Sequence, residues 1–417
     1  MTSKLIDIAA EVLEVIYSRQ SSFKTSLYNT TKRHKLKTNE TKQVFAICAQ
    51  VVKNKQSLNK LTSRFLKISG MTKSAKIQNS KLHPYLYELL VSKSRKKPKN
   101  DLADTILKHK DKLSNFVSEL DFERKPQKAS PTVYARINRL SIKASSKSFQ
   151  DKFFPNSSVD VNLPDLLVIK SEAKDLHENK HVKNHDIILQ DKASCIPPLV
   201  MFTDFPRPEL TDSIMIDGCS APGNKTTQLA SLLQQKGLES RIKLLATEKD
   251  RTRFEILKAT LLNHSAIRVK PYNVDYLEFT KSIADDIEYC LLDPSCSGSG
   301  MMQKQTLDVE PASEERVKNL AEFQHRIIKH SIETFKNLKK VVYSTCSIHK
   351  EENEYVVAKI LDQFPDWKLQ NAHDAVKLRG WADTGISGRP EIDDNVIRLS
   401  GSKHNTQGFF VASFIKK

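Results

Sequence analysis

This chain has no CxxC pair, no apolar run of about eighteen residues, and neither of the two usual phosphate-binding glycine signatures. Each absence removes a class of protein. Without CxxC spacing, the six cysteines (48, 195, 219, 290, 296 and 346) do not read as a zinc site or a dithiol redox motif. Reduced thiols in a cytosolic or nuclear compartment are expected instead. Without a long apolar run, no membrane span is expected. A P-loop needs Gly-Lys-Ser/Thr in succession, and here Asn224 separates Gly223 from Lys225. A dinucleotide fingerprint needs GxGxxG, and the loop runs Gly218-Cys-Ser-Ala-Pro-Gly223. The amphipathic N-terminus carries Asp7, Glu11 and Glu14, whereas transit peptides are poor in acids. It reads as a first helix of the fold.

What the chain does have is length and positive charge. Its 417 residues suffice for two or three domains, and 39% hydrophobic with 28% charged residues fits a globular protein. The net charge of +18 favours a polyanionic partner. The excess is concentrated: residues 1 to 130 hold 27 Lys+Arg against 11 Asp+Glu, and the remainder is near neutral. One module therefore suits phosphates. The bland alternative is a solvated lysine-rich helical face.

Hydrophobic periodicity divides the chain in three. Leu5, Ile8, Val12, Val15 and Ile16 repeat at helical spacing. Further helices are expected at 40–54, 57–68, 83–94 (with Pro84 in a first-turn position) and 101–120. A basic break at Lys93–Lys99 reads as an exposed loop or a localisation signal. Residues 1–125 thus form a basic helical domain. From 126 to 205 the texture becomes mixed α/β, with strands expected at 132–142 and 165–170, and a polar loop at 171–185. From 206 to 417 strands and helices alternate, which argues for a doubly wound parallel sheet. Its strands are expected at 213–218, 242–247, 266–270, 288–293, 340–345 and 408–415, and its helices at 224–235, 250–264 and 321–337. In such sheets the chemistry gathers at the carboxyl ends of the strands.

Three of those ends carry acids. Asp217 ends the first strand, Glu248 follows the second in "ATEKD", and Asp275 follows the third in "YNVDYLEF". Each alone is most often a solvated loop residue; three in succession suit a ligand with ammonium, ribose and adenine parts. Between the first strand and its helix, "GCSAPGNKT" offers backbone N–H groups at a helix N-terminus. The fourth strand ends in "LLDPSCSGSG" and the next in "VVYSTCSIHKEENE", which places Cys296 beside Asp293 and Cys346 between Thr345 and Ser347. A lone cysteine at either place would be ordinary core. Two thiols at neighbouring strand ends, one beside a carboxylate, suit nucleophilic attack on a heteroaromatic ring. A helix starting near Lys350–Glu354 would help to ionise such a thiol.

These motifs, in this order and spacing over about Pro131 to Lys417, resemble the Sun-domain, RsmB-like RNA cytosine-C5 methyltransferases. "YARINRL", "LQDKASCIPP" and "TQGFFVA" match as well, and the "DPSCSGSG" form resembles the branch acting on eukaryotic large-subunit rRNA. Gly218 and Ser220 depart mildly from the commoner "DxCAAPG". The resemblance implies a Rossmann-like class I methyltransferase fold at 206–417, a small α/β RNA-binding domain at 126–205, and S-adenosylmethionine as cofactor. It implies that Cys346 is the nucleophile, Cys296 assists product release, Asp293 contacts the cytosine and Lys225 lies near it. It places the cofactor against Cys219, Ser220, Ala221, Pro222, Gly223, Asn224, Lys225, Glu248, Arg253, Asp275 and Asp293. It further implies rRNA or pre-ribosomal particles as partner, a nuclear, nucleolar location and a monomer. Three other readings compete: a non-catalytic RNA-binding ribosome-assembly factor that keeps the fold, C5 methylation of another RNA such as tRNA, and a DNA cytosine methyltransferase, in which the fourth-strand cysteine would attack.

Overall fold

The computed structural model describes residues 2–18, 23–70, 79–92, 98–120, 122, 132–170, 176–205, 213–279, 287–301, 313–375 and 380–417. They fall into two compact units, one holding the described residues up to 122 and the other those from 132 on.

The first unit is helical. Its helices are Ser3–Tyr17, Phe23–Arg33, Thr38–Lys53, Lys55–Ser69, Asn79–Leu86, Asp101–Lys108 and Lys110–Glu119. Ile6, Leu13, Phe65 and Tyr85 are fully buried in a shared core, and removing such side chains from water is the main force assembling the bundle. The Tyr85 hydroxyl donates to Asp7, and the Asn100 side chain accepts from the Ala103 N–H to start its helix. Three expectations need correction. Pro84 lies inside its helix, not in the first turn, and the chain continues as a π-turn over Tyr87–Val91. The expected helix at 101–120 is two helices that meet at His109. The helix Phe23–Arg33 was not expected, because its sequence is mostly polar and offers few apolar residues at helical spacing. Most of the basic run, residues 93–97, lies outside the described residues.

The second unit holds two sheets. Strands β1 (Thr132–Ile137), β2 (Ser157–Val159), β3 (Leu166–Lys170) and β4 (Ile187–Leu189) form an antiparallel sheet in the order β2-β3-β1-β4. The first strand stops at Ile137 rather than 142, because the Asn138 side chain turns the chain by accepting from the Leu140 N–H. The polar stretch at 171–185 contains a short helix, Lys180–Lys183, capped by Asn179.

The larger sheet contains β5 (Ser213–Asp217), β6 (Ile242–Thr247), β7 (Lys270–Tyr272), β8 (Ile287–Leu292), β9 (Lys340–Thr345), β10 (Trp367–Gln370), β11 (Ile397–Leu399) and β12 (Phe409–Lys416). The order is β10-β12-β9-β8-β5-β6-β7, with β11 added against β12. The five strands β5 to β9 run parallel, and β12 inserts antiparallel beside β9. Every residue of β9 is buried, as a central strand covered on both faces requires. The strand expected at 266–270 is displaced to β7. Residues 264–268 are consumed by turns after the helix Arg251–Asn263, with Ser265 at φ 62°. The edge position of β7 tolerates Pro271. From β5 the chain proceeds outward through β6 and β7, then returns to β8 on the other flank of β5. The crevice between β5 and β8 is therefore the topological switch point.

Arg136, buried on β1, joins the two sheets. Its Nε donates to Gln190 Oε1 at 2.8 Å and its Nη2 to Thr227 Oγ1 at 3.1 Å. The motifs "YARINRL" and "LQDKASCIPP" thus meet the helix Asn224–Gln235, whose N-terminus faces the switch point.

Candidate active site

The loop Gly218–Gly223 leaves β5 at the switch point and ends where Asn224 starts its helix. Gly223 sits at φ +111°, a conformation that disfavours any side chain, and a Cβ there would meet Leu257 at 3.1 Å. Ser220 fits this loop by donating its hydroxyl to the Asp217 carbonyl at 2.7 Å. Ala221 offers its carbonyl to Arg253 Nη2 at 2.7 Å, Pro222 is exposed, and the Asn224 carbonyl accepts from Arg136. Cys219 is partly exposed, and burial pushes its thiol well above its ordinary pKa.

The three acids line up as expected along successive strand ends. Asp217 is buried and accepts from Thr226 Oγ1 at 2.7 Å; burial drives its carboxyl up to about 6. Glu248 is buried, with Oε1 accepting from the Asp250 N–H at 2.9 Å and Oε2 3.4 Å from Arg253 Nη1. Asp275 pairs with Lys249 at 2.6 Å; burial opposes its charge, but Lys249 and the Leu277 N–H hold it below the usual carboxylate range. Acids at the ends of β5, β6 and β7, beside a glycine-turned helix N-terminus, suit an ammonium, ribose hydroxyls and an adenine amine. The residues present fit S-adenosylmethionine.

The candidate reacting groups gather one strand further along. Strands β8 and β9 are hydrogen-bonded neighbours, so the segments that follow them lie side by side. Asp293 directly follows β8. Its Oδ2 accepts from Lys225 Nζ at 2.6 Å and its Oδ1 from Ser344 Oγ at 2.8 Å. Burial works against the Lys225 ammonium, yet Asp293, with a further contribution from Cys346, raises its pKa overall. The Sγ atoms of Cys296 and Cys346 stand 3.1 Å apart, both partly exposed. The hydrogen bond to Cys346, followed by burial, holds the Cys296 pKa well above its ordinary value. Lys225, Asp293, Cys296 and Cys346 are thus one cluster at the carboxyl edge of β8 and β9.

The helix after Cys346 begins at Glu354, within the expected stretch, and Lys350–Asn353 form a turn before it. Ser344, Gln324 and Glu352 also belong to the site but carry no signal readable one residue at a time; only their hydrogen bonds show it. Among the described residues no group of His, Cys, Asp and Glu could hold a metal ion, and no helix is long and apolar enough to cross a membrane.

Residues 206–415 match the model of the "16S rRNA methyltransferase RsmB/F" family. The chain belongs to this family. Its S-adenosylmethionine-dependent class makes the protein a methyltransferase with that cofactor. Among curated relatives, "25S rRNA (cytosine-C(5))-methyltransferase rcm1" of Schizosaccharomyces pombe is 29% identical over 97% of this chain and 90% of its own length. The "28S rRNA (cytosine-C(5))-methyltransferase" of Mus musculus is 30% identical, with the same coverage of each chain. These full-length matches place the family member in the eukaryotic large-subunit branch. Among solved structures, one titled "Crystal Structure of PH0851" superposes with a TM-score of 0.67 over 99% of both chains at 19% identity. NSun6 from Pyrococcus horikoshii with SFG gives 0.54 over 69% of this chain and 91% of that one, at 20% identity. At those identities the likeness speaks for the fold alone.

Proposed function

We propose that this methyltransferase modifies cytosine C5 in large-subunit ribosomal RNA, with Cys346 as the attacking thiol. The observation that carries the proposal is the paired thiols, 3.1 Å apart, beside the Asp293–Lys225 pair at the edge of a class I sheet. A ring carbon as poor in electrons as cytosine C5 does not attack an alkyl donor unaided. A thiolate adding to C6 makes C5 nucleophilic and divides one difficult substitution into easier steps. The two sulfurs share one hydrogen bond, so when one ionises the other keeps a proton to donate to it, and the Lys225 ammonium interacts favourably with a charge on Cys346.

The cytosine must first leave its stack or be presented in a loop. Asp293, anchored by Ser344 and Lys225, holds the ring by its polar edge while the Cys346 sulfur bonds to C6. The loop 219–225 with Glu248, Arg253 and Asp275 would hold S-adenosylmethionine, which would supply an electrophilic methyl group and depart as the neutral thioether. Once C5 is methylated, its proton leaves to a base, the S–C6 bond breaks, and the C5–C6 double bond returns with Cys346 regenerated. Cys296, at 3.1 Å, assists this release. The small antiparallel sheet and the basic residues of the helical unit hold RNA, chiefly through phosphates. This reading carries with it pre-ribosomal particles as partner and a nucleolar location, where such particles form.

Two measurements test it. Bisulfite sequencing of total RNA with and without the gene should lose one or a few large-subunit rRNA cytosines. RNA carrying 5-fluorocytosine should trap a covalent complex with the wild type and none with C346A. Methylation that survives in C346A rejects the mechanism, and loss in C296A instead of C346A moves the nucleophile to the β8 strand end.

A further inference from the structure

The carboxylate of Glu352 is fully buried and is held by three neutral donors. Oε1 accepts from the Ser297 N–H at 2.8 Å and from Gln324 Nε2 at 2.9 Å, and Oε2 from Ser347 Oγ at 2.6 Å. Two of these donors are telling. Ser297 follows Cys296 and Ser347 follows Cys346, so a single side chain grips the residue next to each thiol. The grip is itself braced. Gln324 Nε2 also donates to the Ser295 carbonyl at 3.0 Å, the Tyr343 hydroxyl donates to the Glu352 carbonyl, and Asn353 Nδ2 donates to the Ser347 carbonyl at 3.0 Å. The Ser297 and Ser347 hydroxyls lie 3.1 Å apart.

Removing a carboxylate from water is costly, and the cost is not recovered here by an ion pair with any of the three donors. An apolar side chain of equal size would fill the same space more cheaply. What it could not do is accept from an N–H in one loop and an O–H in the other. The geometry points to Glu352 as a positioning residue that fixes the separation of the Cys296 and Cys346 sulfurs by clamping both loops to one carboxylate. This rests on the proposed reaction but concerns a residue outside it. Glu352 hydrogen-bonds to neither thiol; it grips the residues beside them, and its charge adds only a minor upward push on the Cys296 pKa.

Three variants separate the roles. Glu352→Gln keeps the shape and an acceptor for the Ser297 N–H while removing the charge. Glu352→Ala removes the clamp. Ser347→Ala removes the Oε2 strut, together with the bonds of the Ser347 hydroxyl to the Ser297 and Ser299 hydroxyls and the His349 N–H, while leaving the Oε1 half of the clamp in place. The first readout is the rate of covalent complex formation with RNA carrying 5-fluorocytosine, alongside the S-adenosylmethionine Kd by calorimetry. Displacement of a reacting group by about 1 Å costs on the order of 100-fold. E352A should therefore slow complex formation roughly 100-fold with the cofactor Kd within about twofold, and E352Q should stay within about tenfold of the wild type. The second readout needs no activity. Phenylarsine oxide bridges two adjacent thiols, releasing water, and peptide mapping should find the Cys296–As–Cys346 bridge in the wild type and in E352Q but not in E352A. Should E352A not fold, S347A decides, with roughly tenfold slower complex formation expected at unchanged cofactor affinity. Wild-type rates and bridging in E352A, or a wild-type rate in S347A when E352A does not fold, overturn the proposal. A wrong choice of nucleophile would show differently, since C346A would still trap RNA while the bridging results stood.

Discussion

Gly300 makes the sharpest demand on space near the two thiols. A Cβ built there would lie 2.1 Å from the Gly408 carbonyl oxygen and 2.6 Å from its carbon, both backbone atoms. No side-chain rotation can relieve that contact. Gly300→Ala must therefore move the start of β12 and the β8 loop apart by roughly an ångström, and the movement disrupts two hydrogen bonds. The Gly300 N–H donates to the Cys346 carbonyl at 2.9 Å, and the Gly408 N–H donates to the Gly300 carbonyl at 2.8 Å. Overpacking costs about 1–3 kcal/mol and each lost bond about 0.5–1.5, so the total is about 2–6 kcal/mol. At about 2 °C per kcal/mol for a unit of this size, Tm should fall by roughly 4–12 °C. Because the Cys346 carbonyl is one anchor of the moved loop, trapping of 5-fluorocytosine RNA should slow by about 10–100-fold in the folded variant. Differential scanning calorimetry and a denaturing gel read the two effects. A Gly300→Ala protein with Tm within about 1 °C of the wild type and normal trapping would refute both the close approach and its link to the thiol.

Other substitutions probe other parts of the site. Cys296→Ala should accumulate a covalent RNA complex with unmodified cytosine substrate, visible as a shifted band on a denaturing gel; a clean lane with normal turnover would exclude a role in release. Glu248→Ala leaves Arg253 without its carboxylate partner and should weaken S-adenosylmethionine binding by about 10–100-fold, the loss of roughly one charge-assisted hydrogen bond or two. Titration calorimetry should show this. Lys340 is buried at the start of β9, where its Nζ donates to the Thr203 carbonyl at 2.9 Å, and burial lowers its pKa to about 7. The folded value lies below the unfolded one, so the unfolded chain binds more protons between them. Stability should therefore rise with pH from about 7 to about 10, and the cost of burying the charge is greatest below about 7. Lys340→Met should flatten that slope and gain a few kcal/mol near pH 6, on the order expected for a shift of this size. Thermal scans from pH 6 to 9.5 check both, and an equal slope in the two proteins would count against the assignment.

The parallel sheet was legible because its strands are buried on both faces. "IKLLAT", "EYCLLD" and "KVVYST" are short, largely apolar runs that suit a covered sheet, and they became β6, β8 and β9. The helix Asn224–Gln235 was legible from its glycine-turned start. Local pattern failed where tertiary packing decides the structure. Nothing in "AIRVK" reveals that a helix-end turn takes up its first residues and leaves only Lys270 to pair. The polar sequence of Phe23–Arg33 hides a helix that is completed by packing rather than by periodicity.

The site divides the same way. Which residues are candidates for the chemistry is written in the chain, because a loop must supply the glycine, acid or thiol itself. Asp293, Cys296 and Cys346 could be named from their places after strands. Their distances from one another were settled by folding. The pairing of β8 with β9 brings Cys296 to Cys346 across fifty residues of sequence. It also delivers the Glu352 carboxylate to the backbone of Ser297, and the pairing of β5 with β8 delivers Lys225 to Asp293. A hydrogen bond forms only over a few tenths of an ångström, so a polar side chain's partner depends on which strands are neighbours, and no local pattern specifies that.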